Sequence, residues 1–335
     1  MERIKSKNNG YNVVSLFSGI GGIDLGFEYN GFNLLWANDF DKYACITYRA
    51  NVNENIVHGD IREVKTLIPE HDILIGGFPC QPFSTLGKLQ GFKDETRGTL
   101  FFEIENIVKK HDTKVIVLEN VKNIVTHDNG HTFETILNHL NDAGYYCNYA
   151  ILNSKDYGIP QQRNRMFLVC FNKKYFKDVK FEFPKPQELK VTVQDLLDKE
   201  VGAKYFLTER ISKTILSVGT KGYTAKPKID NSIAKTLCAT MHKMHRASQD
   251  NYVTDLYNYN RLKPIGRINV RKLTPNECRK LQGFPSKWTQ VVSDCQAYKQ
   301  FGNAVTVDVA YAVAKNVLKH MEDNKLWFGK LTRIM

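Results

Sequence analysis

The sequence predicts an α/β fold: a largely parallel sheet covered by helices on both faces, with a second, smaller domain. Three observations carry this prediction. Strand and helix patterns alternate through the first half of the chain, the strands are apolar runs such as "KVIVLENV", and 335 residues are enough for two domains. The hydrophobic fraction of 42% is ordinary for a globular protein and argues against global disorder.

The alternating elements follow in order from the amino terminus. The first strand, "NVVSLFSG", runs into a glycine turn, and the helix "IDLGFEYNG" ends at Gly31. Later strands are "FNLLWAND", "DILIGGFPC" and "KVIVLENV", separated by the helices "DKYACITYRAN" and "TLFFEIENIVKK". After the helix "TFETILNHLNDAG" come two late β segments, "YYCNYAILN" and "RMFLVCF". Apolar spacing of three and four residues indicates the helices, and β-branched runs indicate the strands.

The regular alternation is lost after "FEFPKPQEL", which indicates a second domain over residues 191–300. The stretch "NAVTVDVAYAVAKNVLKHME" then returns to an amphipathic helix with Val305, Val309, Val313 and Val317 on one stripe. Because a lone helix cannot bury such a stripe, we expect it to pack on the first sheet. The large domain is therefore predicted to be discontinuous, with residues 1–190 plus 301–335.

The charge and the cysteine content of the chain indicate which class of binding partner and which cellular compartment to expect. The 47 Lys and Arg against 35 Asp and Glu leave a net charge of +12, which favours a polyanionic partner, although general basic solubility explains it equally well. The seven cysteines are scattered, with no CxxC pair, so we expect no metal and a reducing, cytoplasmic location. The charged start "MERIKSKNNG" and the lack of a long apolar run predict no secretory signal and no membrane association.

The end of the first strand carries a candidate cofactor turn. The turn Phe17-Ser18-Gly19-Ile20-Gly21-Gly22 resembles a dinucleotide fingerprint, but Asp24 stands where the third glycine belongs. Asp39 ends the second strand, where an acid bonds a ribose hydroxyl, and Asp60 ends the next short β segment. Together they predict a nucleoside cofactor without a pyrophosphate cradle. S-adenosylmethionine is such a molecule, and NAD is the competitor.

Cys80 stands just past the carboxyl end of a strand, between two prolines in "GGFPCQPFSTLG". Most free cysteines are packing residues, but a thiolate in an electropositive, partly exposed setting is a nucleophile. Residues 84–98 follow with three glycines and with basic residues that include Lys88 and Arg97. This composition is typical of a hinged lid over a polyanionic substrate. Cys80 is therefore a candidate nucleophile.

Glu119 ends the apolar strand "VIVLENV". A helix N-cap or a solvated strand end is the structural alternative to a carboxyl that bonds a heterocycle. Further on, Gln161, Arg163 and Arg165 lead into "RMFLVCF". Alternate residues of an extended segment point the same way, so we expect both arginines to face one site, with solvated surface charge as the alternative.

The blocks "FSGIGG", "GGFPCQPFS", "ENV", "QQRNR", "RKLTPNECRKLQGFP" and "QFGNAV" occur in the order found in DNA (cytosine-5)-methyltransferases. The chain resembles the compact bacterial restriction–modification enzymes of that family, outside the variable residues 192–269. The resemblance implies a Rossmann-like S-adenosylmethionine-dependent methyltransferase sheet with a target-recognition domain at residues 191–300. It also implies sequence-specific methylation at C5 of a cytosine flipped out of duplex DNA.

The same resemblance assigns roles in the chemistry. Cys80 would add to C6 of cytosine and make C5 reactive toward the methyl donor. Glu119 would hold the base at N3 and its exocyclic amine, Arg165 would contact O2, and Arg163 would support both. The sequence names no base for the C5 proton.

The resemblance also implies ligands and partners. The methyl donor S-adenosylmethionine, with S-adenosylhomocysteine as product, would be held by Phe17, Gly19, Gly21, Gly22, Asp39, Asp60, Ile61, Pro79 and Asn303. Double-stranded DNA would be contacted by Ser84, Lys88, Arg97, Thr236, Leu237, His242 and Arg246. We expect a cytoplasmic monomer, nucleoid-associated through DNA, that works beside a restriction endonuclease without binding it stably.

Three alternatives stand beside this reading. A transfer-RNA cytosine-5 methyltransferase of the same family would use the same catalytic blocks. An NAD-dependent oxidoreductase is disfavoured by the missing third glycine and by the ordered blocks. A non-catalytic DNA-binding protein of this fold would be expected to lack Cys80 or Glu119, and the sequence has both.

Overall fold

The protein, seen in a computed structural model, is described over residues 3–78, 100–177, 179–217, 229–243, 245 and 249–324. Its strands are β1 (Asn12–Leu16), β2 (Asn33–Asp39), β3 (Ile56–His58), β4 (Ile73–Gly77), β5 (Val115–Val121), β6 (Tyr145–Asn153), β7 (Gln161–Gln162), β8 (Asn164–Asn172), β9 (Phe206–Thr208), β10 (Ala234–Lys235), β11 (Tyr252–Thr254) and β12 (Arg267–Lys272). Its α-helices are α1 (Gly22–Tyr29), α2 (Lys42–Asn51), α3 (Ile61–Val64), α4 (Leu100–Lys110), α5 (His131–Asp142), α6 (Glu209–Ile215), α7 (Leu256–Leu262), α8 (Pro275–Lys280), α9 (Asp294–Asn303) and α10 (Val307–Asp323).

The large sheet has seven strands in the order β3-β2-β1-β4-β5-β8-β6. The first five are parallel, whereas β8 runs antiparallel to both β5 and β6. Strands β4 and β5 are buried on both faces, which is why they are continuous apolar runs rather than alternating ones. The predicted α/β fold with a largely parallel sheet is confirmed.

Helices cover both faces, and alternate residues of each strand enter separate cores. On one face Val115 and Val117 of β5 pack with α1 and α10. On the other face Ile116 and Leu118 pack with α4 and α5. Two cores form from one strand because successive side chains point to opposite faces. No helix in the described ranges is long and apolar enough to cross a membrane.

The C-terminal helix α10 returns to the first helix of the chain. The four valines of the predicted stripe, from Val305 to Val317, are buried in the same core as Phe27 of α1. The two helices approach so closely that a Cβ on Gly26 would lie 2.6 Å from the Cβ of Ala310. The amphipathic face of α10 is thus covered by α1 and by the sheet.

The rest of the described chain forms a small antiparallel sheet in the order β11-β12-β9 and a parallel pair of β7 with β10. That pair joins Gln161 to Ala234, so segments from either side of residue 190 hydrogen-bond to each other. A third core packs α8 and α9 against Leu25 of α1. Helix α9 continues across residue 300. The domain division at residues 190 and 300 stays a prediction.

The close approach of α1 to α10 predicts that Gly26→Ala destabilises the fold. The new Cβ would overlap Ala310, so one helix must shift, at a cost of about 1–3 kcal/mol in the free energy of unfolding. Gly202→Ala is the matched control, because nothing lies within 4 Å of its Cβ position and its φ of −77° suits alanine. Urea unfolding followed by circular dichroism measures both. Equal stability of the two variants would contradict this packing.

Candidate active site

An open cleft lies at the carboxyl ends of β1, β2, β4 and β5, the edge where parallel α/β sheets bind ligands. It brings together residues that are far apart in the chain. The predicted site residues that line it are Phe17, Gly19, Gly22, Asp39, Glu119, Arg165 and Asn303. The described residues Gly21, Asp60, Ile61 and Arg163 lie outside this lining.

Six predicted residues lie outside the described residues: Pro79, Cys80, Ser84, Lys88, Arg97 and Arg246. The described chain reaches Phe78, directly after β4. The Phe78 carbonyl accepts a hydrogen bond from Asn120 Nδ2 at 2.9 Å. Asn120 therefore ties the chain just before Pro79 to the end of β5, beside Glu119.

The turn after β1 has an unusual backbone conformation. Phe17 has a φ of 54°, which a non-glycine residue rarely adopts, and Gly19 and Gly21 also have positive φ values of 56° and 84°. A Cβ on Gly22 would lie 2.2 Å from the Val305 carbonyl oxygen. Glycine is needed at position 22 because the turn touches the backbone just after Asn303.

Asp39 connects the end of β2 to this turn. Its Oδ2 accepts from the Gly19 amide at 2.8 Å, and its Oδ1 accepts from the Asp41 amide at 2.8 Å. Burial raises the pKa of Asp39, and these backbone hydrogen bonds offset part of the rise. Each carboxylate oxygen keeps a lone pair for a further donor, such as a ribose hydroxyl.

Glu119 and Arg165 form a buried ion pair in the cleft, with Arg165 Nε 3.0 Å from Glu119 Oε1. The register of β5 and β8 causes it, because Arg165 lies opposite Val121, two residues beyond Glu119 on the same face. Glu119 is 8% exposed, so it is not a solvated strand end. Burial raises the pKa of Glu119, and the charge of Arg165 lowers it only in part. Such a carboxyl can donate to a ring nitrogen when protonated and accept from an amine when ionised.

Arg163 does not face this cleft. Its guanidinium is buried and donates to the carbonyls of Leu237, Gly302 and Ala304. The backbone explains the difference, because the Arg163 amide donates to the Gln161 carbonyl and closes a three-residue turn over residues 161–163, immediately before β8. This turn interrupts the alternation of side chains. Arg165 lines the cleft and Arg163 does not, so the two arginines do not face one site as expected.

Three further predicted cofactor residues, Gly21, Asp60 and Ile61, lie outside the lining of the cleft. Asp60 is the N-cap of α3, and its carboxylate pairs with Arg62, which lowers the pKa of Asp60. Ile61 is buried in the core that packs α4 and α5 on the sheet. Gly21 precedes α1, and a Cβ there would lie 2.8 Å from Val52 Cγ2. Each of these residues has a structural role in the chain as it stands.

Within the described residues, the predicted DNA contacts Thr236, Leu237 and His242 lie on one segment away from the cleft. Thr236 Oγ1 donates to the Gln162 carbonyl at 2.5 Å, and Leu237 is buried. His242 ends a short 3-10 turn, with its Nδ1 at the Ala239 carbonyl. In the same ranges, no group of three or more His, Cys, Asp or Glu side chains could hold a metal ion.

Two residues that the sequence analysis missed contribute to the cleft. Phe40, which follows Asp39, lines it with 75% of its surface exposed. An aromatic residue directly after a strand-end acid was the available signal, since such a ring can cover a heterocycle. The second is Asn120, whose amide follows the strand-end Glu119 and bonds the Phe78 carbonyl. The sequence feature that could have identified Asn120 is a polar side chain at the end of a buried strand.

A sheet of this order, with a glycine turn and a buried acid–arginine pair at its strand ends, defines a methyltransferase-type α/β enzyme. Comparison with known proteins identifies the family. The family model described as C-5 cytosine-specific DNA methylase matches residues 11–319. The chain belongs to this family and is a DNA (cytosine-5)-methyltransferase. The family predicted from the order of the sequence blocks is confirmed.

The relatives agree with this assignment. The Type II methyltransferase M1.ScrFI of Lactococcus lactis subsp. cremoris is 40% identical over 326 residues, which cover 94% of this chain and 80% of the relative. M.HhaI of Haemophilus parahaemolyticus, also a Type II methyltransferase, is 38% identical over 334 residues, with 95% and 97% covered. Among solved structures, a mutant DNMT2 of Spodoptera frugiperda has a TM-score of 0.72 at 18% identity, with 92% of this chain and 99% of that chain covered. This last likeness shows the shared fold.

The buried carboxyl of Asp24, in the first turn of α1, predicts a pH-dependent stability. Burial raises the pKa of Asp24 from 3.8 to about 6, although the Tyr48 hydroxyl donates to it at 2.8 Å. The folded state therefore binds this proton more tightly than the unfolded chain. The contribution of this proton to the free energy of unfolding is lost as the pH rises from about 4 to about 6, and it stays lost above pH 6. Asp24→Asn should raise the free energy of unfolding by about 1–3 kcal/mol at pH 8 and change it little near pH 4.

Asp41→Asn is the matched control for this experiment. Burial alone would raise the pKa of Asp41, but the hydrogen bond from Lys299 and the α2 amides lower it overall. Loss of the Asp41 carboxylate should therefore destabilise the fold at pH 8, the opposite sign. Urea unfolding of both variants at the two pH values measures the difference. A destabilised Asp24→Asn at pH 8 would show that the charged carboxylate stabilises the fold.

Proposed function

We propose that this protein transfers a methyl group from S-adenosylmethionine to C5 of a cytosine flipped out of duplex DNA, within a sequence that it recognises. The observation that carries the proposal is the buried Glu119–Arg165 ion pair, which shares one cleft with the glycine turn and Asn303. A carboxyl beside a guanidinium matches the N3 and O2 edge of a cytosine ring. A base stacked inside a duplex cannot enter such a cleft, so it must be flipped out.

The residues of the cleft fit a nucleoside cofactor. Asp39 has lone pairs free for ribose hydroxyls, Phe17 and Phe40 offer aromatic faces to an adenine, and Asn303 offers an amide to the methionine end. When bound, S-adenosylmethionine supplies an electrophilic methyl group, and S-adenosylhomocysteine leaves as the product. The other residues of the proposed set are Gly19, Gly21, Gly22, Asp60, Ile61 and Pro79.

The chemistry that we propose is covalent catalysis by Cys80. Its thiolate forms a bond to C6 of cytosine while Glu119 donates at N3, so the ring is not left with an uncompensated negative charge and C5 becomes nucleophilic. Arg165 donates to O2 and, by its charge, keeps Glu119 in place. After C5 takes the methyl group, loss of the C5 proton to solvent, breaking of the sulfur–C6 bond and return of the N3 proton to Glu119 restore the aromatic ring, the thiolate and the carboxylic acid.

Recognition of duplex DNA is proposed for residues 191–300, with residues 1–190 and 301–335 supplying the chemistry. The net charge of +12 supports contacts to phosphates, which position the duplex, while a few side chains read base edges. The Type II relatives support a role in a restriction–modification system. The protein is proposed to act as a monomer beside a separate endonuclease. The proposed contacts are Ser84, Lys88, Arg97, Thr236, Leu237, His242 and Arg246.

Bisulfite sequencing of DNA from cells that express the protein should show 5-methylcytosine at one position of one short motif. Cys80→Ser should abolish this signal, because a serine hydroxyl stays protonated and does not add to C6, while duplex binding stays within about threefold. Cys295→Ser, which changes an exposed thiol on α9, is the matched control and should methylate normally. Methyl transfer to transfer RNA but not to duplex DNA would overturn the substrate, and methylation by Cys80→Ser would overturn the nucleophile.

Glu119→Gln should lower the single-turnover rate of methyl transfer by about 10²–10⁴, because an amide cannot deliver a proton to N3. In the wild type the rate should fall as the pH rises through the raised pKa of Glu119, and the variant should lack this alkaline limb. Glu105→Gln is the matched control, since Glu105 is a buried carboxyl on α4 that pairs with Lys109 outside the cleft. A normal rate and pH profile for Glu119→Gln would rule out the proposed role.

A further inference from the structure

Arg163 is a buried cation whose charge no described carboxylate neutralises by direct contact. It is 1% exposed, and burial lowers the pKa of Arg163 to about 9. Its guanidinium donates only to backbone carbonyls among the described residues: Nη1 to Leu237 at 2.8 Å, and Nη2 to Gly302 at 3.0 Å and Ala304 at 2.7 Å. Its Nε has no hydrogen-bond partner there. A buried charge of this kind contributes little to the stability of the fold. Stability therefore does not explain why a guanidinium occupies this position.

The first group of partners lies on the segment of residues 234–237, which contains the proposed DNA contacts Thr236 and Leu237. This segment is joined to the chain around Arg163 by four hydrogen bonds. The Ala234 amide donates to the Pro160 carbonyl at 2.8 Å, and Thr236 Oγ1 donates to the Gln162 carbonyl at 2.5 Å. Both backbone groups of Leu237 are used, since its amide donates to Gln161 Oε1 at 2.9 Å and its carbonyl accepts from Arg163.

The second group of partners lies at the C-terminal end of α9, residues 301–304, which presents Asn303 to the cleft. The two carbonyls that accept from Arg163 Nη2 belong to Gly302 and Ala304, on either side of Asn303. Gly302 also touches the chain just after residues 234–237 directly, because a Cβ there would lie 2.2 Å from the Ala239 amide nitrogen. One planar guanidinium thus joins the end of α9 at the proposed cofactor site to the segment proposed to contact DNA.

We infer that Arg163 is a positioning residue that couples DNA binding to cofactor binding. The inference rests on the proposed function, which places DNA at Thr236 and S-adenosylmethionine at Asn303. When DNA holds the segment at Thr236, the fork of Arg163 fixes the carbonyls on both sides of Asn303, and the cofactor then meets an end of α9 that is already held in place. The same connection works in reverse, because a coupling free energy between two sites is reciprocal. Lysine cannot replace the fork, since a single ammonium does not reach both groups of carbonyls in one fixed geometry.

The test compares S-adenosylhomocysteine binding with and without a duplex that carries the motif found by bisulfite sequencing. In the wild type, saturating DNA should tighten the Kd for S-adenosylhomocysteine by about tenfold or more. Arg163→Lys should reduce this factor to within about twofold of unity while each Kd for a single ligand stays within about threefold. In the same variant the KM for S-adenosylmethionine at saturating DNA should rise by the factor through which DNA tightens cofactor binding in the wild type. The kcat should change less than about threefold.

Arg279→Lys is the matched control. Arg279 is also buried, its pKa is also lowered by burial, and its Nη1 also donates to carbonyls, but those belong to Phe284 and Pro285 within its own segment. This variant should keep the wild-type coupling factor even where its Tm falls. If Arg163→Lys does not fold, Gln161→Met removes the acceptor for the Leu237 amide, together with the donor to the Leu281 carbonyl, leaves the Arg163 guanidinium intact, and should lower the coupling factor at least threefold.

Three results would overturn the inference: a wild-type factor near unity, an unchanged factor in Arg163→Lys, or an equal loss in Arg279→Lys. Failure of the proposed function looks different. In that case the wild type itself neither binds S-adenosylhomocysteine nor methylates the duplex, whereas failure of the coupling leaves both activities in place.

Discussion

The register between β5 and the antiparallel strand β8 is the constraint on which the cleft depends. It sets Arg165 opposite Val121 and therefore beside Glu119. Removing two charges from water is costly, and the sheet offsets this by holding both side chains in one geometry. A slip of one residue would turn Arg165 to the opposite face of the sheet, away from Glu119. The neighbouring strand makes room for the pair, since a Cβ on Gly77 would lie 3.2 Å from Glu119 Oε2.

Close backbone contacts at glycines add the second half of the cleft. Gly22 meets the Val305 carbonyl, Gly26 meets α10, and Gly302 meets the backbone at Ala239. Each contact joins segments that are more than fifty residues apart, and a side chain at any of them would force the segments to separate. The return of α10 to α1 is therefore both a packing feature and the reason that Asn303 stands across from the first turn of the chain.

Much of the site could be predicted from sequence because strand ends are marked locally. Asp39 and Glu119 are acids at the ends of apolar runs, and the structure places both in one cleft. The role of Arg163 could not be predicted, because a three-residue turn at Gln161 redirects its side chain into the interior. The sequence signal at Phe40 did not decide its role, since an aromatic residue beside an acid can either pack in a core or cover a ligand. Its exposure decides between the two.

By itself, the sequence determined which segments become strands and helices, which polar residues end the strands, and through the order of its blocks, the family. It could do so because hydrophobic periodicity is a property of neighbouring residues. Only the tertiary structure decided that Arg165 pairs with Glu119 while Arg163 joins the end of α9 to Leu237. Strand order, register and backbone contacts at glycines arise between segments distant in the chain, and no local pattern encodes which carbonyl a buried guanidinium will meet.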